Sequence, residues 1–133
     1  MIAVDSSIVV AIVRGESDAA TFIDVLEHAP KSVMSVVSYV ETHMVIVGRR
    51  TGSEARRIDE LLRILRIAVV PVTLEQGVVA ATAFMKFGKG RHVARLNLAD
   101  CFSYALAKSR DLALLFKGND FAQTDIIPAW HSG

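Results

Sequence analysis

Ile2-Ala3-Val4-Asp5-Ser6-Ser7 opens the chain with a short apolar run that stops at an acid, and Ile8-Val9-Val10-Ala11 follows. The run reads as a buried strand with Asp5 at its C-terminal end and a helix starting near Ser6. Ser32 to Met34, Ala68 to Val72 and Leu112 to Phe116 read as three more buried strands. Longer helical patterns separate them. Asp18 to His28 places Phe22, Ile23 and Leu26 on one stripe, and Ser53 to Leu65 places Ile58, Leu61, Leu62 and Leu65 on another. A helix containing Ser35 to Arg50 lies between, with Pro30 and Gly52 as breaks. Thr73-Leu-Glu-Gln76 matches a capping box, so a helix is expected from Leu74 to Phe87, ended by Gly88 and Gly90. Asn97 is the expected N-cap of a last helix reaching Arg110. Strands alternating with helices give a parallel sheet covered on both faces.

Composition fits one soluble domain. With 133 residues and 52% hydrophobic content, the chain can bury roughly two-thirds of its unfolded surface. No stretch approaches the roughly 20 apolar residues of a membrane span. The acid at position 5 does not fit a signal peptide, so the cytoplasm is expected. Cys101 is the single cysteine, which excludes an intrachain disulfide and fits a reducing compartment. A net charge of +1 leaves nucleic-acid binding open, because that depends on where positive charge clusters.

Four acids then stand out. Asp5, Glu41 and Asp100 lie in or beside apolar runs, where an unpaired charge costs several kcal/mol or must be protonated. Asp5 and Asp120 each follow a strand, at the sheet edge where open α/β sheets bind ligands. Taken singly, Asp5 reads equally as a helix cap, Asp120 as a turn acid, and Asp100 as a carboxylate favouring a helix N-terminus by about 0.3–1 kcal/mol. Glu41 has no such explanation: its neighbours on the helix are Val37, Ser38, Met44 and Val45, none of which neutralises it. Two charges about 4 Å apart repel by about 4 kcal/mol at an effective dielectric near 20, so carboxylates brought together call for a cation. Oxygen ligands favour magnesium or manganese. His28, His43, His92 and His131 lack paired metal-ligand spacing, which argues against zinc.

The blocks Ala3-Val-Asp5-Ser6-Ser7, Ser38-Tyr-Val-Glu41-Thr42, Leu98-Ala-Asp100-Cys-Phe-Ser-Tyr-Ala105 and Leu114-Leu-Phe-Lys-Gly118-Asn-Asp120-Phe121 resemble, in order and spacing, those of PIN-domain proteins, and among them the VapC-type toxins. The resemblance spans nearly the whole chain. It implies an α/β, PIN-like three-layer fold over residues 1–133, with a central, mainly parallel sheet flanked by helices. It also implies a magnesium-dependent endoribonuclease, with manganese as a substitute, that is usually a homodimer and is inhibited by a cognate VapB-like antitoxin. By motif position Asp5, Glu41 and Asp100 match the acidic metal-site residues, and Ser6 matches the supporting hydroxyl after the first acid. Asp5 and Asp100 are the expected ligands, and Glu41 either binds metal or orients the attacking water. Asp120 follows Gly118 and Asn119 rather than the strand itself, so a direct and a water-mediated role both stay open.

RNA requires positive charge near the acids. Lys86, Lys89, Arg91, His92 and Arg95 precede Asp100, and Gly88 and Gly90 could let backbone approach phosphate, so Lys89, Arg91 and Arg95 are candidate RNA contacts. A solvated loop explains the same run equally well. Arg49, Arg50, Arg56 and Arg57 form a second basic set, for which solubility suffices.

Other chemistries fit less well. Cys101 with His92 as base would make a nucleophile, but an apolar helix favours a packing cysteine. Ser6 and Ser7 lack the context of a nucleophile elbow. A receiver domain would explain Lys117 but lacks an acceptor Asp after the Ala68 to Val72 strand. Val9, Val10, Val13, Phe22, Ile23 and Leu26 form core or an antitoxin groove, with core the default. A dimer contact is expected through helices adjoining Ser53 to Leu65. The alternative to an enzyme is a non-catalytic module of the same fold that binds nucleic acid or a partner.

Overall fold

The structure, a computed structural model, describes residues 1–48 and 53–131. Arg49, Arg50 and Gly52 lie outside the described residues. Four strands, β1 (Ile2–Val4), β2 (Ser32–Ser35), β3 (Ile67–Val70) and β4 (Leu114–Leu115), form one sheet in the order β3-β2-β1-β4. Every pairing is parallel. Among the described residues, six helices surround it: α1 (Ser6–Val13), α2 (Ala19–His28), α3 (Val36–Ile46), α4 (Ser53–Ile64), α5 (Leu74–Phe87) and α6 (Leu98–Ser109). A 3-10 turn, Phe121–Gln123, follows β4.

Period-two alternation along the strands makes the three layers. Ala3, Val33 and Leu114 face one core with Ala83, Phe87, Tyr104 and Leu106 of α5 and α6. Val4, Met34 and Leu115 face the other, with Ile8, Phe22, Leu26, Ile58 and Leu62 of α1, α2 and α4. Leu114 and Leu115 are both fully buried, so this two-residue strand anchors both cores, each side chain contributing about 1.5–3 kcal/mol. The early apolar stripe is therefore mainly core, as its default reading held.

Several boundaries differ from the sequence reading for local reasons. β3 stops at Val70 because Pro71 has no N–H to extend the ladder. β4 covers Leu114–Leu115 rather than Leu112 to Phe116, and the backbone N–H of Lys117 donates to Ser7 Oγ at 3.1 Å instead of to a strand. The third helix begins after Ser35, whose hydroxyl accepts from Val37 N–H, and ends near Gly48 in left-handed backbone, φ +49°. Thr73 caps α5 by accepting from Gln76 N–H at 3.1 Å, but the reciprocal half of the box is missing: Gln76 Oε1 is buried without a partner. Asn97 and Asp100 make the full reciprocal box instead. Gly88 is shaped by packing, since a Cβ there would lie 2.4 Å from Phe84 O and 2.5 Å from the Phe84 ring. Its missing side chain makes room for Phe84.

The strand order fixes the site. From β1 the chain steps outward to β2 and β3, then returns to lay β4 on the other side of β1. The switch point lies between the carboxyl ends of β1 and β4, where open sheets bind ligands. No helix among the described residues is long and apolar enough to cross a membrane.

Candidate active site and metal centre

Asp5 is the first residue past β1, and its backbone N–H donates to Leu115 O at 3.0 Å, which ties it to the switch point. It is buried, at 3% exposure. It caps α1, with Oδ2 accepting from Ser7 N–H at 3.0 Å. Oδ1 accepts from the Ser103 hydroxyl at 2.6 Å. Because that donation uses the only Ser103 O–H, the 2.8 Å contact between Ser38 and Ser103 must be a donation from Ser38. A buried chain, Ser38 to Ser103 to Asp5, thus joins α3 and α6 to the end of β1 and sets the plane of the carboxylate. Each Asp5 oxygen keeps a further lone pair.

Glu41 projects from α3 and accepts from the Ser6 hydroxyl. Burial raises its pKa, the Asp5 charge adds to that, and the Ser6 hydrogen bond opposes it. Ser6 therefore supports Glu41 rather than the acid beside it in sequence. Asp100 sits in the first turn of α6, accepting from Asn97 N–H at 3.0 Å while its own N–H donates to Asn97 Oδ1 at 2.9 Å. Burial first, then the charges of Asp5, Glu41 and Asp120, push its pKa up to about 7 against the pull of the Asn97 bond. All three like charges act on Asp100, which places the four acids around one edge. Asp120 is the exposed member, at the start of the Phe121–Gln123 turn without a side-chain capping bond.

Among the described residues, no Lys, Arg or His forms an ion pair with any of the four. Nor do any three His, Cys, Asp or Glu side chains stand close enough to form a ready-made metal site. The donor set nevertheless fits a hard divalent ion: oxygen ligands only, partly buried, mutually repelling, and with lone pairs remaining beyond the internal hydrogen bonds. Drawing them around a cation requires side-chain movement.

The basic segment has a different character. Lys89, Arg91 and Arg95 are exposed and enter no ion pair among the described residues. Arg91 lies over the Phe84 ring at 5.8 Å, and Lys86 over Phe87 at 5.3 Å. Arg95 adopts left-handed backbone, φ +56°, a conformation costing roughly 1 kcal/mol or more in a non-glycine residue. His92 is turned inward, Nδ1 accepting from Ala94 N–H at 3.0 Å and the ring edge-on to Phe87. Cys101 is buried, and burial with the neighbouring Asp100 charge pushes its thiol up to about 11, which makes it a poor nucleophile. Lys117 points away from the acids and binds Glu16 and Asp18.

Residues 2–127 match the PIN domain family. Ribonuclease VapC42 of Mycobacterium tuberculosis is 46% identical over 127 residues, covering 95% of this chain and 97% of the relative. The chain belongs to the PIN-domain family of VapC ribonucleases. Solved structures share the PIN fold at low identity. The crystal structure of Mycobacterium tuberculosis VapC20, described as a sarcin-ricin loop cleaving toxin, aligns with a TM-score of 0.73 at 20% identity over 96% of this chain and 97% of that one. A toxin-antitoxin complex from Klebsiella pneumoniae aligns at 0.71 and 16% identity over 99% and 100%.

Sequence reasoning missed Ser38 and Ser103 in this PIN domain. The available signal was a serine in the otherwise apolar run Cys101 to Leu106, three residues beyond Asp100. Nothing in the sequence pairs it with Asp5, which lies 98 positions away.

Proposed function

We propose that this chain is a metal-dependent endoribonuclease toxin that hydrolyses RNA phosphodiester bonds and is neutralised by a cognate VapB-like antitoxin. The observation that carries the reading is the gathering of Asp5, Glu41, Asp100 and Asp120 at the β1/β4 switch point without a neutralising cation among the described residues. Asp5 and Asp100 would hold magnesium, or manganese in its place, with Glu41 and Asp120 completing the acidic ring. Bound there, the ion supplies Lewis-acid polarisation of a phosphoryl oxygen and lowers the pKa of water.

The protein's own groups then have separate tasks. Ser103 and Ser7 hold Asp5 in one orientation, and Ser6 holds Glu41, which would orient water at the scissile phosphate. Asn97 fixes the Asp100 carboxyl at the start of α6. Lys89, Arg91 and Arg95 would draw the RNA backbone toward the acids, a contribution that weakens as salt rises.

The partner surface would lie on α3, one of the helices adjoining Ser53 to Leu65. The buried side of α4, with Ile58 and Leu62, belongs to the core. The apolar groove lies between α3 and the start of α6, lined by Val36, Val40, Met44, Val45 and Leu98. A homodimer or an antitoxin helix would cover it, in a single-domain cytoplasmic protein. The test is partner-free cleavage of a mixed RNA pool with magnesium, comparing wild type with Asp5→Asn. Cleavage by the wild type alone is expected; equal cleavage by both would refute the site, and RNA binding without cleavage would favour a binding module.

A further inference from the structure

A second concave feature opens beside the acids. It is a cleft of about 420 Å³ whose walls include Phe116, Lys117, Gly118, Asn119, Pro128 and Trp130. Backbone geometry ties it to the acidic edge. Lys117 N–H donates to Ser7 Oγ at 3.1 Å, and Ser7 N–H donates to Asp5 at 3.0 Å. Asn119 directly precedes Asp120, whose charge acts on Asp100.

The aromatic wall is held in place. Leu114 N–H donates to Ile127 O and Ala129 N–H donates to Leu114 O, both at 2.9 Å, so the C-terminal segment runs alongside β4 and delivers Trp130 to the edge. Trp130 meets Phe22 edge to face with centroids 5.8 Å apart. Electrostatics select the ligand class. Among the described residues, Lys117 is the only lysine or arginine lining the cleft, and its ammonium is engaged by Glu16 at 2.5 Å and Asp18 at 3.0 Å. With Asp18 itself on the wall, the cleft disfavours a phosphate and suits a flat, uncharged heterocycle. Asn119 offers an amide donor and acceptor at the exposed rim.

We propose that this cleft receives a nucleobase of the RNA next to the cleaved linkage, resting it against Trp130 and reading its edge through Asn119. This rests on the ribonuclease reading above and adds a specificity subsite to it. Single-stranded RNA is recognised by stacking unpaired bases on aromatic side chains and hydrogen-bonding their edges. The carboxylates would then define where the bond breaks, and the cleft which base sits beside it.

Trp130 is the only tryptophan in the chain, so its fluorescence reports the cleft directly. Asp5→Asn protein in magnesium is titrated with a panel of short single-stranded RNAs of varied sequence, including the cut-site sequence where cleavage maps one, each intact or with one base removed at each position in turn. Saturable quenching is expected, lost when one particular base beside the cut is missing. Asn119→Ala, at an exposed position that leaves the core intact, should change the base preferred there; Trp130→Ala, followed by the anisotropy of a labelled RNA because the fluorophore is gone, should weaken binding about tenfold while Trp130→Phe, read the same way, retains most of it. Wild-type cleavage with no quenching, and with unchanged cut-site preference in Asn119→Ala, overturns the cleft and leaves the nuclease reading intact. Base-dependent quenching without wild-type cleavage supports the cleft and refutes the nuclease reading.

Discussion

Glu16 and Asp18 share the Lys117 ammonium at 2.5 and 3.0 Å, whereas Asp5, Glu41, Asp100 and Asp120 share no cation among the described residues. Asp125 belongs with the first group: Tyr104 donates to it at 2.7 Å and Lys108 pairs with it at 3.0 Å. Burial alone would raise its pKa, but these two partners outweigh burial and lower it. At Asp100 the opposite happens, because burial and like charges act together. The difference separates acids that serve the fold from acids held at a cost to it, and a functional site is where such a cost persists.

The sharpest break in this comparison is chemical. Asn in place of Asp5 or Asp100 preserves shape and removes charge, and RNA cleavage should fall on the order of 10²–10³-fold or more, measured as initial rates on one mapped substrate. Glu16→Gln should leave those rates unchanged.

Next comes the buried serine chain. Ser103→Ala removes the donor to Asp5 and leaves Ser38 without its acceptor, so manganese affinity should weaken roughly 10- to 100-fold by calorimetry. The fold should lose about 1–2 kcal/mol in denaturant. Unchanged affinity would mean that Asp5 is positioned by Ser7 and the strand end alone.

The third contrast concerns stability without metal. A carboxyl raised from its ordinary value to about 7 in the fold destabilises the folded state once ionised. That penalty is absent below the unfolded value near 4, grows between about 4 and 7, and is complete above 7. Metal-free Asp100→Asn should therefore be more stable than wild type by roughly 1–2 kcal/mol at pH 8, with no gain at pH 4, by urea unfolding at both pH values. Glu16→Gln should show the smallest effect and the opposite sign, a loss of about 0.2–1 kcal/mol at low salt that fades as salt rises.

How far these contrasts were legible in the sequence depended on their range. Asp5 after an apolar run, Asn97 three residues before Asp100, and the α5 span Leu74–Phe87 are local patterns, and they appear as read. Glu41 was identifiable because its helix offered no nearby cation. The Ser38, Ser103 and Asp5 chain was hidden because its members come from three distant elements. Trp130 was hidden too, since its placement depends on the C-terminal segment pairing with a strand only two residues long. The Thr73 box was read in full but formed by half, because Gln76 is buried rather than turned back to its cap.

Among the described residues no cation pairs with the four acids, which together would form a site for a divalent cation. Calorimetric titration of metal-free protein with manganese at pH 7 tests it most directly. Saturable binding is expected that raises the melting temperature of wild type, is lost in the Asp5→Asn, Asp100→Asn double variant, and is retained in Glu16→Gln. Equal manganese binding by wild type and the double variant would contradict it.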